Sequence, residues 1–227
     1  MNVLLLDFNG VIVDDESLHF ASFREVLATQ GIALDRATYD QAYLGSNDRA
    51  AFSTALAREG RVVDEGAVRG FVACKAARYA ELAEQDLVLV PGVTAFVRAA
   101  AALAHIAVVS GALRAEIESG LVRAGLRDVV ETIVSADDVP ASKPDPAGFR
   151  LALARLAGGP GHATARAVVI EDSLPGLAAA RSLGAGCAML TTSLAAPMLP
   201  ADVIWDTFEG HAPSELEALY RPVEIAS

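Results

Sequence analysis

The side chains with the clearest chemical potential share one position in the sequence: each stands at the end of an apolar run or in a polar segment between such runs. They are Asp7, Asn9, Ser110, Lys143, Glu171 and Asp172. A carboxylate can act as a nucleophile or as a metal ligand, and a lysine supplies a compact positive charge. A serine followed by glycine offers a hydroxyl and backbone amides that bind anionic oxygens. This combination of residue types favours transfer of an anionic group such as phosphoryl.

The apolar runs that precede these residues are short and rich in β-branched side chains. Examples are VLLLD ending at Asp7, IAVVS ending at Ser110 and AVVIED ending at Asp172, and TIVSA and CAMLT follow the same pattern. Continuous apolar runs are typical of strands buried on both faces of a parallel sheet. Ala-rich stretches between them have helix boundaries, such as Gly184 after LAAARSL. The alternation predicts an α/β fold with a Rossmann-like, doubly wound parallel sheet.

The segment after the first strand is the exception to this alternation. Residues 15–86 have helical spacing and no convincing strand, and they are too many for an ordinary connection between a strand and a helix. We predict an inserted α-helical cap domain at 15–86 and a core domain formed by 1–14 and 87–227. The cap is expected to stand over the carboxyl ends of the strands, where open α/β sheets bind ligands. Asp15 and its acidic neighbours are expected to form the acidic start of the first cap helix.

The carboxyl ends of parallel strands lie at one edge of a sheet, so the polar residues at these ends are expected to form one pocket. Three carboxylates that lie close together repel each other unless a cation neutralises them. Hard oxygen ligands beside a phosphate site favour Mg²⁺, which binds one or two carboxylates together with water and phosphate oxygens. The sequence therefore predicts Mg²⁺-assisted phosphoryl transfer, with Asp7 as a candidate nucleophile and Ser110 and Lys143 as phosphate-binding groups.

The composition limits the partners and the location that are expected. The 227 residues carry a formal net charge of −11, which argues against general binding to nucleic acid or to an anionic membrane. Cys74 and Cys187 are the two cysteines, so a disulfide framework is disfavoured and a cytoplasmic location is expected. The expected partner is a small phosphorylated metabolite. A monomer is the default expectation, and a homodimer stays open.

Four motifs occur in order along the chain: DFNGV after the first strand, VVSGA around Ser110, SKPDP around Lys143, and VVIEDSLPGLAAARSLGA around Glu171 and Asp172. In this order they resemble the motifs of the haloacid dehalogenase-like (HAD) hydrolase superfamily. With the helical cap, the chain is most similar to the β-phosphoglucomutase-like branch of that superfamily. The resemblance implies that Asp7 attacks phosphorus and forms an aspartyl-phosphate.

The resemblance also implies roles for the other residues of these motifs. Ser110 and Lys143 hold and neutralise the transferring phosphoryl group, and the backbone amides of Gly111 and Ala112 belong to the same binding segment. A metal ion, Mg²⁺, lies between the acidic groups and the phosphate. Its implied ligands are Asp7, the backbone carbonyl of Asn9, Glu171 and Asp172.

Asn9 departs from the family pattern. Family phosphatases have an aspartic acid at this position, and it protonates the leaving alcohol and then deprotonates the attacking water. An amide does neither at neutral pH, and loss of general acid–base catalysis typically costs on the order of 10²–10⁴ in rate. We therefore expect a phosphohydrolase whose activity is reduced or restricted to leaving groups of low pKa, unless another residue supplies the acid.

The cap carries a partial likeness to the mutase-like branch. His19 matches a histidine on the hinge side of the cap, and Lys75 precedes Tyr79 at the spacing found in that branch. These residues are candidate substrate- or phosphate-binding groups, together with Arg49. In the cap loop LGSNDR, however, Arg49 stands one residue later than in the Gly-x-Ser-Arg pattern of the branch.

Three alternatives to a phosphohydrolase stay open. The first is a catalytically weak or silent protein that binds a phosphorylated ligand: Asp7 favours the enzyme, and Asn9 favours the binder. A sugar phosphomutase is less expected for two reasons. Asn9 replaces the general acid, and Arg49 does not stand at the arginine position of the cap pattern. A dehalogenase is disfavoured because dehalogenases of the superfamily lack an acidic pair such as Glu171 and Asp172.

Overall fold

The computed structural model describes residues 1–44, 46–62, 64–158, 164–193 and 200–225. The chain divides into two compact units. The core unit consists of Met1–Asp14 and Val88–Ser227, and the helical unit is Asp15–Leu87. Gly45, on which the interpretation of the cap loop partly depends, lies outside the described residues.

The core unit contains a sheet of seven strands and a separate two-stranded ladder. In chain order the strands are β1 (Asn2–Leu6), β2 (Val13–Asp14), β3 (Val88–Leu89), β4 (His105–Val109), β5 (Thr132–Val134), β6 (Thr164–Glu171), β7 (Gly186–Leu190), β8 (Val203–Trp205) and β9 (Arg221–Glu224). Six strands of the sheet lie parallel in the order β5-β4-β1-β6-β7-β8, and β9 pairs antiparallel with the start of β6. The predicted parallel α/β sheet is confirmed.

β1 lies in the middle of the sheet because its side chains are apolar on both faces. Residues 3–6 are fully buried. Leu6 pairs with Val108 of β4 on one side and with Ile170 of β6 on the other. The chain passes from β1 to β4 on one side and later to β6 on the other. The carboxyl end of β1 is therefore the point where the direction of winding reverses, which is where open α/β sheets bind ligands.

Eight α-helices complete the described fold. In chain order they are α1 (Glu16–Thr29), α2 (Arg36–Ala42), α3 (Asp48–Arg58), α4 (Glu65–Asp86), α5 (Val93–Ala100), α6 (Arg114–Arg123), α7 (Ala147–Leu156) and α8 (Leu174–Leu183). A 3-10 helix spans Pro213–Leu219. The ends of α8 follow the sequence: the Ser173 side chain accepts a hydrogen bond from the Gly176 N–H at the start, and Gly184 is left-handed at the end.

The helical unit, which contains α1 to α4, has a core of its own in which aromatic rings pack together. Phe23 of α1 lies 4.5 Å from Phe52 and 5.2 Å from Tyr43, measured between ring centroids. All three side chains are buried. None of the described helices is both long enough and apolar enough to cross a membrane.

Four short strands were not predicted from the sequence. β2 and β3 form an antiparallel ladder in which Val13 pairs with Leu89 and Asp14 with Val88. β8 and β9 extend the main sheet with three and four residues. β2 and β3 contain two residues each, too few for a periodic pattern, so only their pairing identifies them.

Candidate active site

The carboxyl end of β1 positions Asp7 in a buried, polar environment. The Asp7 N–H donates to the carbonyl oxygen of Ile170 at 3.0 Å, which continues the β1–β6 ladder by one residue. The residue is 9% exposed. Its Oδ1 atom lies 2.8 Å from Lys143 Nζ, and among the described residues this atom has no hydrogen-bond partner beyond that ion pair. Oδ1 therefore retains capacity to bind a further cation or to attack an electrophile.

Lys143 joins Asp7 to a second carboxylate. Its Nζ atom donates to Glu171 Oε1 at 2.5 Å, in addition to its ion pair with Asp7. Burial by itself lowers the pKa of the Lys143 ammonium, but the charges and hydrogen bonds of Asp7 and Glu171 outweigh burial and hold this pKa above its usual range. Lys143 is therefore a permanent positive charge beside Asp7.

Glu171, at the end of β6, is fully buried, and both of its carboxylate oxygens accept hydrogen bonds. Besides the bond from Lys143, its Oε2 atom accepts hydrogen bonds from the Asp172 N–H, the Ser173 N–H and the Ser173 hydroxyl at 2.9–3.1 Å. The Glu171 carboxyl also packs against Gly176, where a Cβ atom would lie 1.8 Å from its Cδ atom. Glu171 thus ties Lys143 to the loop between β6 and α8.

Asp172 faces the turn that follows Asn9. The residue is 5% exposed, and its Oδ2 atom accepts a hydrogen bond from the Ser193 hydroxyl. A Cβ atom at Gly10 would lie 1.9 Å from Asp172 Oδ2, and Gly10 has a φ of 70°, so both space and backbone conformation favour glycine there. The Asn9–Gly10 turn and Asp172 are therefore in close contact.

The described residues of this edge can hold a divalent cation. Asp7, Glu171 and Asp172 each offer an oxygen, and these oxygens lie within 4.8 Å of one another. Burial, opposed by Lys143 and reinforced by Glu171, raises the pKa of Asp7 to about 6. Burial and the charges of Glu171 and Asp7 raise the pKa of Asp172 well above its usual range. An oxygen-only donor set with uncompensated negative charge fits Mg²⁺.

Ser110 and Asn9 contact each other at the same edge. Ser110 follows β4, is 7% exposed, and donates through its hydroxyl to Asn9 Oδ1 at 3.3 Å. The Ala112 N–H donates to Ser110 Oγ at 3.2 Å, and Gly111 between them is exposed. Asp7, Asn9, Ser110, Glu171 and Asp172, together with Lys143 from the connection between β5 and α7, thus lie in one region. The amide of Asn9 lies where it accepts a hydrogen bond but has no acidic proton to transfer.

The predicted cap residues separate into a contacting pair, His19 and Lys75, and an exposed arginine. Lys75 of α4 is 2% exposed, and its Nζ atom lies 2.6 Å from Asp48 Oδ1 and 2.6 Å from His19 Nδ1. Because the ammonium is a donor, His19 Nδ1 must accept, which leaves the proton on Nε2. Arg49, next to Asp48 on α3, is exposed. The structure therefore joins His19 and Lys75 within the helical unit and leaves Arg49 at its surface.

Helix α1 has the expected acidic start, with Glu16 in its first turn, but the Asp15 side chain makes contacts that this expectation did not include. Asp15 occupies the N-cap position of α1 but makes no side-chain capping bond. Its side chain is instead 1% exposed, with Oδ2 accepting from the Tyr79 hydroxyl and lying 3.2 Å from His19 Nε2. The sequence contains a pattern that is consistent with these contacts. Asp15 and His19 are four residues apart, as are Lys75 and Tyr79, so each pair lies on one helix face.

Because the pKa of Asp7 is raised, the contribution of the carboxylate cluster to folding stability depends on pH. The folded state holds a proton on Asp7 more tightly than the unfolded state, so the associated stability is present below the usual pKa of 3.8 and is lost as pH rises through about 6. A divalent cation competes with that proton. We therefore expect the increase in Tm caused by Mg²⁺ to be larger at about pH 7.5 than at about pH 5.

Thermal melting with Mg²⁺ and with EDTA at both pH values measures this difference. The comparison at fixed pH cancels the titration of surface carboxylates, since these are present in both samples. An Asp172→Asn variant should show a smaller increase at both pH values. An equal Mg²⁺-induced increase at the two pH values would contradict proton–metal competition at this cluster.

Comparison with known proteins identifies the family. The sequence model of haloacid dehalogenase-like hydrolases matches residues 1–184. Validoxylamine A 7'-phosphate phosphatase of Streptomyces hygroscopicus subsp. limoneus is 28% identical over 206 residues, which cover 89% of this chain and 92% of that protein. The chain belongs to the haloacid dehalogenase-like hydrolase family, so the family expected from the four motifs is confirmed.

Solved structures agree with this assignment. CbbY from Rhodobacter sphaeroides in complex with phosphate has a TM-score of 0.78 at 28% identity, covering 92% of this chain and 95% of that chain. A CbbY mutant with asparagine in place of an aspartate, solved with xylulose 1,5-bisphosphate, has a TM-score of 0.76 at 27% identity and the same coverage. A HAD hydrolase of family IA, variant 3, from Entamoeba histolytica shares the fold, with a TM-score of 0.81 at 17% identity over 96% and 99% of the two chains. This protein is thus a hydrolase with phosphatases among its relatives.

Proposed function

We propose that this protein is a phosphatase that transfers the phosphoryl group of a small phosphorylated metabolite to Asp7 and then to water. The environment of Asp7 carries the proposal. Asp7 is a buried carboxylate 2.8 Å from Lys143 Nζ, in a cluster with two further carboxylates. Carboxylates repel a phosphate group, so a site that only binds phosphate gains nothing from Asp7. A nucleophile and a cation ligand both require it.

The reaction has two steps at Asp7. In the first, an Asp7 oxygen bonds to phosphorus while the bond from phosphorus to the leaving-group oxygen breaks, and the leaving group takes the electron pair. In the second, water attacks the phosphorus of the aspartyl-phosphate while the bond from phosphorus to the Asp7 oxygen breaks. Asp7 leaves as a carboxylate, and the proton lost by the water passes to the released phosphate or to solvent. Lys143 stays protonated in both steps because its pKa lies above the usual range, so it offsets negative charge between Asp7 and the phosphoryl oxygens. Ser110, with the backbone of Gly111 and Ala112, binds those oxygens.

Mg²⁺ is the proposed cofactor, bound by the carboxylates of Asp7 and Asp172 and by the backbone carbonyl of Asn9. When bound, it offsets the repulsion among the carboxylates and the phosphate and stabilises the charge of the transferring group. Glu171, also a predicted ligand, already accepts four hydrogen bonds. We therefore assign it to holding Lys143 and the backbone of the β6–α8 loop beside the metal.

Asn9 restricts the leaving group in this proposal. An alkoxide must be protonated as it departs, and the Asn9 amide has no proton of suitable acidity. A phenolate or a carboxylate departs without that proton. The favoured substrates therefore have leaving groups of low pKa, and the penalty for alkyl phosphates is on the order of 10²–10⁴ in rate.

The relatives support a small phosphorylated substrate. One is named for the 7'-phosphate of validoxylamine A, and CbbY was solved with phosphate and with xylulose 1,5-bisphosphate. The two cysteines of the chain and the burial of one of them support a cytoplasmic enzyme. A second candidate function, a catalytically silent binder of a phosphorylated ligand, is favoured by the amide at Asn9 alone.

Phosphate release from three classes of substrate tests the proposal. The protein is incubated with p-nitrophenyl phosphate, acetyl phosphate and glycerol phosphate, each with Mg²⁺ and with EDTA. We expect Mg²⁺-dependent release from the aryl and acyl phosphates and slow release from the alkyl phosphate. No release from any substrate, together with retained phosphate binding, would favour the binder. Equal release with Mg²⁺ and with EDTA would contradict the proposed cofactor.

A further inference from the structure

Three consecutive hydroxyl residues follow β7, and each makes a different hydrogen bond. The Thr191 hydroxyl donates to Asp206 Oδ1 at 2.8 Å, on the segment after β8. The Thr192 hydroxyl donates to the carbonyl oxygen of Gly10 at 2.6 Å. The Ser193 hydroxyl donates to Asp172 Oδ2. Two of the three hydroxyls therefore bind groups at the candidate active site, namely the backbone of Gly10 and the carboxylate of Asp172.

The hydrogen bonds of Thr192 and Ser193 are made to two groups, the Gly10 backbone and the Asp172 carboxylate, that pack against each other. Gly10 lies so close to Asp172 that a Cβ atom would overlap the carboxylate. Thr192 holds the backbone on one side of this contact, and Ser193 holds the carboxylate on the other. A shift of the segment after β7 would therefore move both the Asn9–Gly10 turn and Asp172.

Asp172 needs a donor of this kind. It is 5% exposed, so water cannot orient it freely. Its negative neighbours Glu171 and Asp7 lie within the same small cluster and repel it. Other rotamers would relieve that repulsion by turning the carboxylate away from the cluster. The Ser193 hydroxyl binds Oδ2 and thereby restrains the orientation of the carboxylate.

We propose that Ser193 is a positioning residue that fixes the orientation of Asp172 for divalent-cation binding, while Thr192 holds the turn that carries the Asn9 carbonyl. The proposal rests on the Mg²⁺ site of the proposed function. It assigns to the segment after β7 a role that its sequence, read as a loop, did not reveal. Groups that orient metal ligands in this way typically contribute 10- to 100-fold in metal affinity, so the effect is expected to be about 10-fold or more.

Equilibrium metal binding tests the proposal without any need for turnover. The Kd for Mn²⁺ is measured by electron paramagnetic resonance of the free ion, and the Kd for Mg²⁺ by competition. We expect Ser193→Ala to raise the Kd about 10-fold or more and Ser193→Thr, which keeps the hydroxyl, to restore most of the affinity. Thr191→Val is the matched control, because it removes a hydroxyl–carboxylate bond from the same segment without touching the cluster.

The outcomes separate this proposal from the proposed function. An unchanged Kd in Ser193→Ala, or an equal loss of affinity in Thr191→Val, would overturn the role of Ser193 and leave the phosphatase intact. Tight metal binding that depends on Ser193, in a protein that releases no phosphate, would support the role of Ser193 and contradict the phosphatase. Circular dichroism and the Tm of each variant in EDTA show whether the fold is retained.

Discussion

Asp7→Asn is expected to abolish Mg²⁺-dependent phosphate release, even from the aryl and acyl phosphates that need no general acid. The amide keeps the shape of the side chain but is not a nucleophile, so the aspartyl-phosphate cannot form. Loss of a nucleophile in an enzyme with covalent catalysis reduces kcat by about 10⁴-fold or more. Steady-state phosphate release with p-nitrophenyl phosphate measures the effect.

The stability of this variant serves as its control. The Asp7 carboxylate has a raised pKa because burial disfavours its charge, so at neutral pH the amide removes an unfavourable buried charge. Lys143 keeps its bond to Glu171. The variant should therefore melt in EDTA at a temperature no lower than that of the unchanged protein. Substantial phosphate release by a folded Asp7→Asn protein would mean that the reaction does not pass through Asp7.

Asn9→Asp is expected to raise kcat/KM, which reports on phosphoryl transfer to Asp7, by about 10²- to 10⁴-fold for alkyl phosphates, while kcat/KM for aryl and acyl phosphates changes little. The new carboxylic acid can protonate a departing alkoxide, which the amide cannot do. The substitution is conservative in structure, because the carboxylate oxygen can accept the hydrogen bond that Ser110 now donates to Asn9 Oδ1. The backbone carbonyl at this position is unchanged.

A matched comparison separates acid–base catalysis from a change in metal affinity. The Kd for Mn²⁺ is measured for both proteins, and all rates are taken at saturating Mg²⁺. If Asn9→Asp raised kcat/KM for all leaving groups by one factor, the added charge would be acting on metal or phosphate binding. No gain with alkyl phosphates would show that Asn9 is not what restricts them.

The central part of the candidate site follows from the sequence. Asp7, Ser110 and Asp172 each end a buried apolar run, and parallel strands bring such ends to one edge of a sheet. Lys143 lies on a connection that returns to the same edge. The types of residue and the topology together were sufficient to predict these neighbours, and the fold class and family are confirmed.

Other features depend on contacts between distant segments, which no local pattern encodes. Thr192 and Gly10 are 182 residues apart, yet they share a hydrogen bond. Ser193 follows a strand in a stretch of small polar residues that is typical of a loop. In the helical unit, the spacing of Lys75 and Tyr79 made Lys75 a candidate ligand-binding residue. The structure instead shows an ion pair between Lys75 and Asp48, which are 27 residues apart on different helices. The sequence identifies such side chains as polar without specifying their partners.

The dependence of log(kcat/KM) on leaving-group pKa tests the central claim most directly. It is measured over one series of aryl and alkyl phosphates for this protein and for Asn9→Asp, both at saturating Mg²⁺. We predict a steep decline with increasing pKa for the protein with Asn9 and a shallower decline for Asn9→Asp, with the two lines meeting at the most acidic leaving groups. Parallel lines would contradict the claim that phosphoryl transfer to Asp7 is limited by the missing acid at Asn9.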